Sequence, residues 1–282
     1  MLPLAGNRRA DHSTLSGTLP MNHTATSLLL AGALLTPGQA MADLLLWQDN
    51  SLTYLNGIDF KIDPPRQQTL TFEHASGWSF GDLFLFVDGI KYNTEATNGA
   101  GDGHTFYGEI SPRLSFGKIS GADLSFGPVK DVLLSATYEF GEDDVDAYLL
   151  GPAIDLSIPG FDYFQLNTYL RRADGKRDGR NVWQITPVWS YTIPVGNSDL
   201  VIDGFIDWVV DNDDSYHANL HINPQIKYDL AKAMGWGKKF YVGVEYDYWK
   251  HKYGIDNDSP LGDEVLGGTN QSAISLLVKA HF

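Results

Sequence analysis

Beyond residue 42 the chain is built from short runs in which apolar and polar residues alternate, with turn residues between the runs. The last run, 274–282, has an apolar residue at every second position, with Lys279 and His281 on the opposite face. An earlier run also alternates and places Tyr216 and Tyr228 on its apolar face. A period of two predicts β-strands with one apolar face, because a helix repeats every ~3.6 residues.

The alternating runs number twelve and are separated by connections of two kinds. They cover residues 47–60, 67–75, 81–92, 104–116, 129–141, 146–157, 163–172, 181–193, 199–211, 215–229, 239–252 and 271–282. The connections after the second, sixth and eighth runs are compact, whereas those after the third and eleventh are long and polar. This asymmetry is typical of outer-membrane barrels. We therefore predict an all-β fold, a closed antiparallel transmembrane β-barrel of about 12 strands, with one helical turn at 231–234.

The same alternation would also suit a soluble sandwich or a lipocalin-like barrel, whose apolar faces point inward. Three features favour the membrane barrel. Polar residues follow whole strand faces, Trp and Tyr cluster near strand ends as an interfacial girdle requires, and the final run ends in Phe282. We therefore expect apolar faces to contact lipid and polar faces to line a lumen. The terminal run also resembles the strands that the barrel-assembly machinery recognises, which predicts that this machinery is a partner through Phe282.

The N-terminal segment indicates export. Residues 24–35 form an apolar run that is too short to span a bilayer, and Pro37 and Gly38 follow it. Ala40-Met41-Ala42 has the small-x-small pattern that signal peptidase needs. We predict a signal peptide at 1–42, cleaved after Ala42, and a barrel domain at 43–282. Translation from Met1 and from Met21 both remain open.

Composition and charge exclude several classes of protein. The chain carries 20 basic and 35 acidic side chains, a net charge of −15, and no cysteine. The acidity argues against nucleic-acid binding, and the lack of cysteine excludes disulfides, Cys-ligated zinc and iron–sulfur clusters. On a strand His217 and His221 lie ~13 Å apart, too far to share an ion. The acidic runs 142–144, 211–214 and 256–258 lack the spacing of an EF-hand. No metal site and no cofactor is predicted.

Two segments of the chain carry a resemblance to a known protein family. Residues 110–116 read ISPRLSF and residues 123–130 read DLSFGPVK. This region resembles the Tsx/OmpK family of nucleoside-specific channel-forming proteins, and weaker similarity runs along most of the remaining chain. The resemblance implies a twelve-stranded monomeric barrel in the outer membrane of a Gram-negative bacterium that passes nucleosides. Some members are phage or colicin receptors, but the loops here do not match, so that role is not carried over.

A nucleoside pore needs aromatic surfaces for the base and polar groups for the ribose, in sites weak enough to release the solute. Lumen-facing positions supply both types of side chain. We predict that the following residues line the lumen and bind solute: Glu73, Phe86, Asp88, Tyr107, Glu109, Arg113, Phe205, Asp207, Asn219, Lys227, Glu245 and Trp249. The alternative for each is a side chain that only fills or solvates a small barrel.

The resulting prediction is a channel for passive, selective uptake of nucleosides and similar small solutes, not an enzyme. The alternatives are a pore or surface barrel without nucleoside specificity, such as an adhesin or phage receptor, and an outer-membrane lipid hydrolase. A hydrolase is disfavoured because His217 and His221 lie on the polar face and strand spacing places no Ser beside either. A large porin would need sixteen or more strands.

The other predicted partners are outer-membrane lipid and lipopolysaccharide. The basic residues expected in an extracellular connection, where they would meet lipopolysaccharide phosphates, are Arg171, Arg172, Lys176, Arg177 and Arg180.

Overall fold

A computed structural model describes residues 44–93, 103–142, 145–173, 180–213 and 216–282. The predicted signal peptide and its cleavage site lie outside these residues. The described chain forms twelve strands: β1 (Leu45–Ile58), β2 (Arg66–Trp78), β3 (Gly81–Tyr92), β4 (His104–Ser115), β5 (Val129–Gly141), β6 (Asp146–Leu156), β7 (Phe161–Ala173), β8 (Arg180–Val195), β9 (Ser198–Val209), β10 (Asn219–Asp229), β11 (Phe240–Lys250) and β12 (Gln271–His281).

Each strand pairs antiparallel with its neighbours in sequence, and β1 pairs with β12 to close the barrel. The closing ladder joins Ser51 to His281 and Ile58 to Ile274. Closure pairs the strand edges, so that backbone amides in the hydrocarbon keep their hydrogen bonds. The predicted closed barrel of twelve strands is confirmed. Within the described residues, no helix has both the length and the apolar character needed to cross a membrane.

The two faces of the wall differ in the way the alternation predicted. On β12, Leu276 is 68% exposed on the outside, whereas Leu277 and Lys279 are buried on the inside. The same pattern on β1 turns Leu52 and Tyr54 outward and Thr53 inward. The polar positions are therefore interior and the apolar ones exposed, the reverse of a soluble barrel. The predicted register of the closing strand is confirmed.

Ion pairs connect non-neighbouring parts of the sequence across the lumen side of the wall. Arg113 donates from Nε and Nη2 to Asp82, at 2.8 and 2.7 Å, and from Nη1 to Asp155 at 2.8 Å. The ammonium group of Lys279 pairs with Glu73, which also accepts from the hydroxyl of Ser51. Because Arg113 is 4% exposed, removing these carboxylates would leave a buried guanidinium without a counter-charge.

Two short helices lie at the end of the barrel that carries the short turns. Helix α1 (Phe116–Ser120) begins with Ser115 accepting from the amide of Lys118, and helix α2 (Leu230–Met234) begins with Asp229 accepting from the amide of Lys232. Both end at a glycine, Gly121 and Gly235, with φ of 70°. Such side-chain caps and left-handed glycines satisfy the free amide and carbonyl groups of helix ends. The predicted helical turn at 231–234 is confirmed.

The segment between β11 and β12 folds over the opposite end of the barrel. It contains a 3-10 turn (Lys252–Gly254) and a π-helical turn (Leu261–Val265). The buried ammonium group of Lys252 lies 2.7 Å from Asp63, which follows β1, and 2.7 Å from the side-chain oxygen of Gln271. The first and last hairpins are therefore tied together at this end of the barrel.

Strand β10 begins later than the alternation predicted. The prediction placed Tyr216 on the lipid-facing side of a strand from 215, but β10 starts at Asn219. Tyr216 makes only an isolated bridge with Asp213, and its buried ring packs with Val182 and Val209. The prediction was wrong here because a residue beyond the end of the ladder does not obey the alternation of the strand.

The face assignment predicts a difference between two arginine substitutions at mid-strand. Leu276→Arg places a charge in lipid and should destabilise the folded barrel by about 2–4 kcal/mol. Asn223→Arg places the same side chain in the polar lumen, near Glu245, and should cost less than about 1 kcal/mol. Urea unfolding in lipid vesicles, followed by tryptophan fluorescence, measures both changes. Equal destabilisation by the two substitutions would contradict the assignment of the faces.

Candidate functional site

All twelve residues predicted to bind solute lie on the lumen side of the wall. They occupy β2 (Glu73), β3 (Phe86, Asp88), β4 (Tyr107, Glu109, Arg113), β9 (Phe205, Asp207), β10 (Asn219, Lys227) and β11 (Glu245, Trp249). Two groups of neighbouring strands, β2–β4 and β9–β11, therefore carry the whole set. In the closed order of strands these two groups lie on opposite sides of the barrel.

Each of the two opposite walls carries an aromatic group. On the first wall the rings of Phe86 and Tyr107 lie 5.8 Å apart, between their centroids. On the second wall the imidazole of His221 stacks on Trp249 at 4.3 Å with an interplanar angle of 11°, and meets Phe205 edge-on at 5.3 Å. Flat ring surfaces on facing walls suit a planar solute that stacks on an aromatic side chain.

Four lumen carboxylates accept hydrogen bonds from neutral groups. The hydroxyl of Thr71 donates to Asp88 at 2.5 Å, and the phenol of Tyr107 donates to Glu109 at 2.7 Å. Asp207 accepts from Thr186 at 2.7 Å and from Gln184 at 2.9 Å, and Glu245 accepts from Gln225 at 2.8 Å. In the part of the chain that the structure describes, no Lys or Arg forms an ion pair with these four: Asp88, Glu109, Asp207 and Glu245.

The predicted basic groups are engaged with carboxylates of the wall. Lys227 lies 2.6 Å from Asp203 and 3.0 Å from the side-chain oxygen of Gln225, and it is 3% exposed. The guanidinium of Arg113 is held by two carboxylates. Arg113 and Lys227 therefore stabilise the wall through these pairs.

Three basic residues that were predicted in an extracellular connection lie in strands: Arg171 and Arg172 on β7, and Arg180 at the start of β8. The prediction put Arg171 in an extracellular basic cluster, but it lies on β7 with its side chain in the lumen. There its guanidinium is paired with both carboxylate oxygens of Glu139 on β5, two strands away. The prediction was wrong because position 171 already lies within the alternating run 163–172. Alternation turns its side chain inward, where Glu139 supplies the counter-charge. Lys176 and Arg177 lie outside the described residues.

A hydrogen-bond chain in the lumen beside Trp249 was not predicted from the sequence. Asp247 lies 3.2 Å from Nε2 of His221 and accepts a hydrogen bond from the side-chain nitrogen Nε2 of Gln271 at 2.8 Å. The signal was present, because His221 and Asp247 occupy polar positions of their runs. Their contact was not visible, since 26 residues separate them.

Several buried polar atoms of the wall have no hydrogen-bond partner among the described residues. They are Oγ1 of Thr53, Oδ1 of Asp146, Oδ1 of Asn167, Nε of Arg171 and Oδ1 of Asp203. A buried polar atom without a partner costs free energy.

The histidines at the long-loop end divide between two environments. The rings of His217 and His251 lie 4.5 Å apart between their centroids with a tilt of 41°, whereas His221 pairs with Asp247 deeper in the lumen. Burial and the neighbouring His217 hold the pKa of His251 below its ordinary value. Within the described residues, no group of three or more His, Asp or Glu side chains is arranged to hold a metal ion.

Comparison with known proteins gives the family. The family model described as "Nucleoside-specific channel-forming protein, Tsx" matches residues 45–280. An outer membrane protein OmpK of Vibrio parahaemolyticus is 25% identical over 236 residues, which cover 82% of this chain and 88% of that protein.

Among solved structures, a KdgM porin is similar with a TM-score of 0.46 at 10% identity, covering 82% of this chain and 99% of that one. The outer membrane protein Omp33 of Acinetobacter baumannii is similar with a TM-score of 0.37 at 12% identity, covering 85% and 99%. Since the family model spans the barrel from β1 to β12, the chain belongs to the Tsx family of channel-forming proteins and is an outer-membrane channel.

Proposed function

We propose that the barrel is a monomeric channel for passive uptake of nucleosides and similar small solutes through weak successive binding sites. The observation that carries this proposal is the combination of aromatic groups on opposite walls with carboxylates that no described Lys or Arg neutralises. A nucleoside presents a flat base and ribose hydroxyls, which match these two features at one level of the lumen.

The aromatic residues act on the base. Stacking of a base on an aromatic side chain contributes ~1–3 kcal/mol in nucleic-acid complexes. Phe86 and Tyr107 offer this surface on one wall, and Phe205 and Trp249 offer it on the other. A site of this strength releases its solute readily, as conduction through a series of sites requires.

Some polar residues of the lumen would bind the ribose, and others stabilise the wall. Asp88, Glu109, Asp207 and Glu245 have oxygens that can accept from ribose hydroxyls, because their present donors are neutral side chains. Asn219 accepts from the indole N–H of Trp249 at 3.3 Å and keeps that ring in position. The ion pairs of Glu73, Arg113 and Lys227 maintain the shape of the lumen. Passage through these sites needs no cofactor and no catalytic step.

The stacking proposal predicts weaker nucleoside block when an aromatic wall residue is removed. Phe205→Ala and Tyr107→Ala should each weaken the block of single-channel current by adenosine and thymidine by about 5- to 150-fold, the equivalent of ~1–3 kcal/mol. Phe72→Ala is the matched control, because Phe72 is an exposed aromatic on the lipid side of β2. It should leave the block unchanged. If neither nucleoside blocks the wild-type current at millimolar concentration, the lumen is a general small-solute pore.

The carboxylate proposal predicts a change in ion preference. Asp207→Asn keeps the shape and the hydrogen-bond geometry but removes one negative charge from the lumen. We expect the reversal potential in a salt gradient to shift toward lower cation selectivity, with altered discrimination between ribosides and deoxyribosides. The control is Asp123→Asn, which removes an exposed carboxylate outside the lumen. An unchanged reversal potential in Asp207→Asn would show that this carboxylate does not act on the permeating ion.

The C-terminal residue is proposed to act in assembly. Phe282 is 62% exposed, and its amide donates to the carbonyl of Asn50 on β1. We expect deletion of Phe282 to lower the yield of heat-modifiable barrel in cells, while the purified variant keeps the wild-type conductance. A normal yield in the membrane fraction would contradict recognition of Phe282 by the barrel-assembly machinery.

A further inference from the structure

The outer wall of the barrel carries a polar cluster near the rim with the short turns, where β1 and β2 pair. His74 and Ser76 are two residues apart on β2 and therefore project from the same face. Asn50 on β1 is the direct cross-strand partner of His74. Trp78, the last residue of β2, completes this group. We call these four residues the Asn50 cluster.

The Asn50 cluster faces lipid and not the lumen. The neighbours of its members along the strands, Ser51 and Glu73, are hydrogen-bonded to each other at 2.6 Å inside the lumen. Alternation therefore turns Asn50 and His74 outward. The cross-strand partner of His74 on β3 is the apolar Leu85. An ionisable side chain among apolar, lipid-facing residues is costly, which makes it a candidate for function.

The hydrogen bonds of the cluster form one continuous chain. Oδ1 of Asn50 lies 2.9 Å from Nδ1 of His74, and Nε2 of His74 lies 3.0 Å from the hydroxyl of Ser76. An amide oxygen only accepts, so Nδ1 carries the proton and Nε2 presents a lone pair to the Ser76 hydroxyl. The indole N–H of Trp78 donates to the same hydroxyl oxygen at 2.9 Å.

We propose that Ser76, His74 and Asn50 are the nucleophile, the general base and the orienting group of a site that cleaves carboxylic esters of membrane lipid. A nucleophile bonded to a base, with a third group fixing the tautomer of that base, is the arrangement that activates serine in acyl transfer. The activity is separate from passage through the lumen and does not depend on the proposed solute.

The chemistry uses an ester and water. Oγ of Ser76 attacks the ester carbonyl carbon while Nε2 of His74 takes the hydroxyl proton, and the bond to the leaving oxygen then breaks as His74 returns that proton to it. An alcohol is released and an acyl-Ser76 remains. Water attacks this acyl group, His74 takes and returns one proton, and a carboxylic acid leaves with Ser76 regenerated.

The position of the Asn50 cluster along the membrane normal indicates which class of ester would lie beside Ser76. Ser76 lies ~7 Å along β2 from Trp78 at the strand end. Aromatic residues at strand ends mark the boundary between headgroups and acyl chains, where the ester bonds of glycerophospholipids lie. A glycerophospholipid beside β1 and β2 therefore presents its ester bonds at the level of Ser76.

In this conformation Ser76 is fully buried and the Trp78 indole N–H is bonded to its oxygen. An ester reaches the nucleophile only after the Trp78 ring moves away. Trp78 therefore acts as a cover, and shortening it should expose the site. His217 lies at the long-loop end and His221 in the lumen, whereas His74 lies on the outer wall.

The test is covalent labelling of the full barrel in dioleoyl phosphatidylcholine vesicles with an alkyl fluorophosphonate, followed by peptide mass spectrometry. We expect an adduct on Ser76 that forms faster in Trp78→Ala than in wild type. In the Trp78→Ala background, His74→Gln should lower the labelling rate by at least about 100-fold, the range of general-base catalysis. Oleic acid released from the same vesicles measures hydrolysis.

The controls separate catalysis from folding. Ser272→Ala changes an exposed, outward-facing serine that bonds to the Tyr246 hydroxyl, and it should leave labelling unchanged. Asn50→Leu should slow labelling, and Asn50→Asp, which again accepts from Nδ1, should restore it. Unchanged ion conductance shows that each variant is folded. The proposal is overturned if Trp78→Ala gives no Ser76 adduct, if labelling is independent of His74, or if no oleic acid is released.

Discussion

This structure depends on one constraint: in the membrane hydrocarbon, which holds no water, every backbone amide needs a hydrogen-bond partner within the protein. An unpaired amide in hydrocarbon costs several kcal/mol, so the sheet has to close, and the ladder between β1 and β12 closes it. Once the wall is one closed sheet, alternation gives every strand one face to lipid and one to the lumen. Apolar residues such as Leu276 then lie outside, and Lys279 pairs with Glu73 inside.

The lumen combines two electrostatic arrangements that serve different purposes. In the first arrangement, basic and acidic side chains of neighbouring strands neutralise each other and hold the strands together. Examples are the ion pairs of Arg113 with Asp82 and of Lys227 with Asp203. Carboxylates such as Glu109 are bonded to neutral donors and keep capacity to accept. The proposed weak, repeated recognition of a polar planar solute would use the second arrangement, while the ion pairs of the first hold the strands of the wall together.

On the outer wall, Asn50, His74 and Ser76 place polar groups near the rim, among apolar residues that face lipid. Their hydrogen bonds satisfy one another, which lowers the cost of placing polar groups against lipid. A wall one sheet thick therefore presents two chemically independent surfaces, because neighbouring residues of a strand point in opposite directions. Function inside the barrel places no restriction on the chemistry outside it.

The sequence by itself determined the strands and their faces, because alternation and turn residues are local signals. All twelve strands end within three residues of their runs, eleven of them also begin within two, and the twelve lumen candidates point inward. The tertiary structure decided which side chains meet. Arg171 finds Glu139, His221 stacks on Trp249, and Asn50 bonds to His74 across distances of 24 to 32 residues in sequence. Such contacts depend on the register between strands, whereas the sequence pattern specifies only which face of a strand a residue occupies. The interaction partners of each side chain were therefore visible only in the folded barrel. The same holds for the position of Tyr216, which lies beyond the end of its strand.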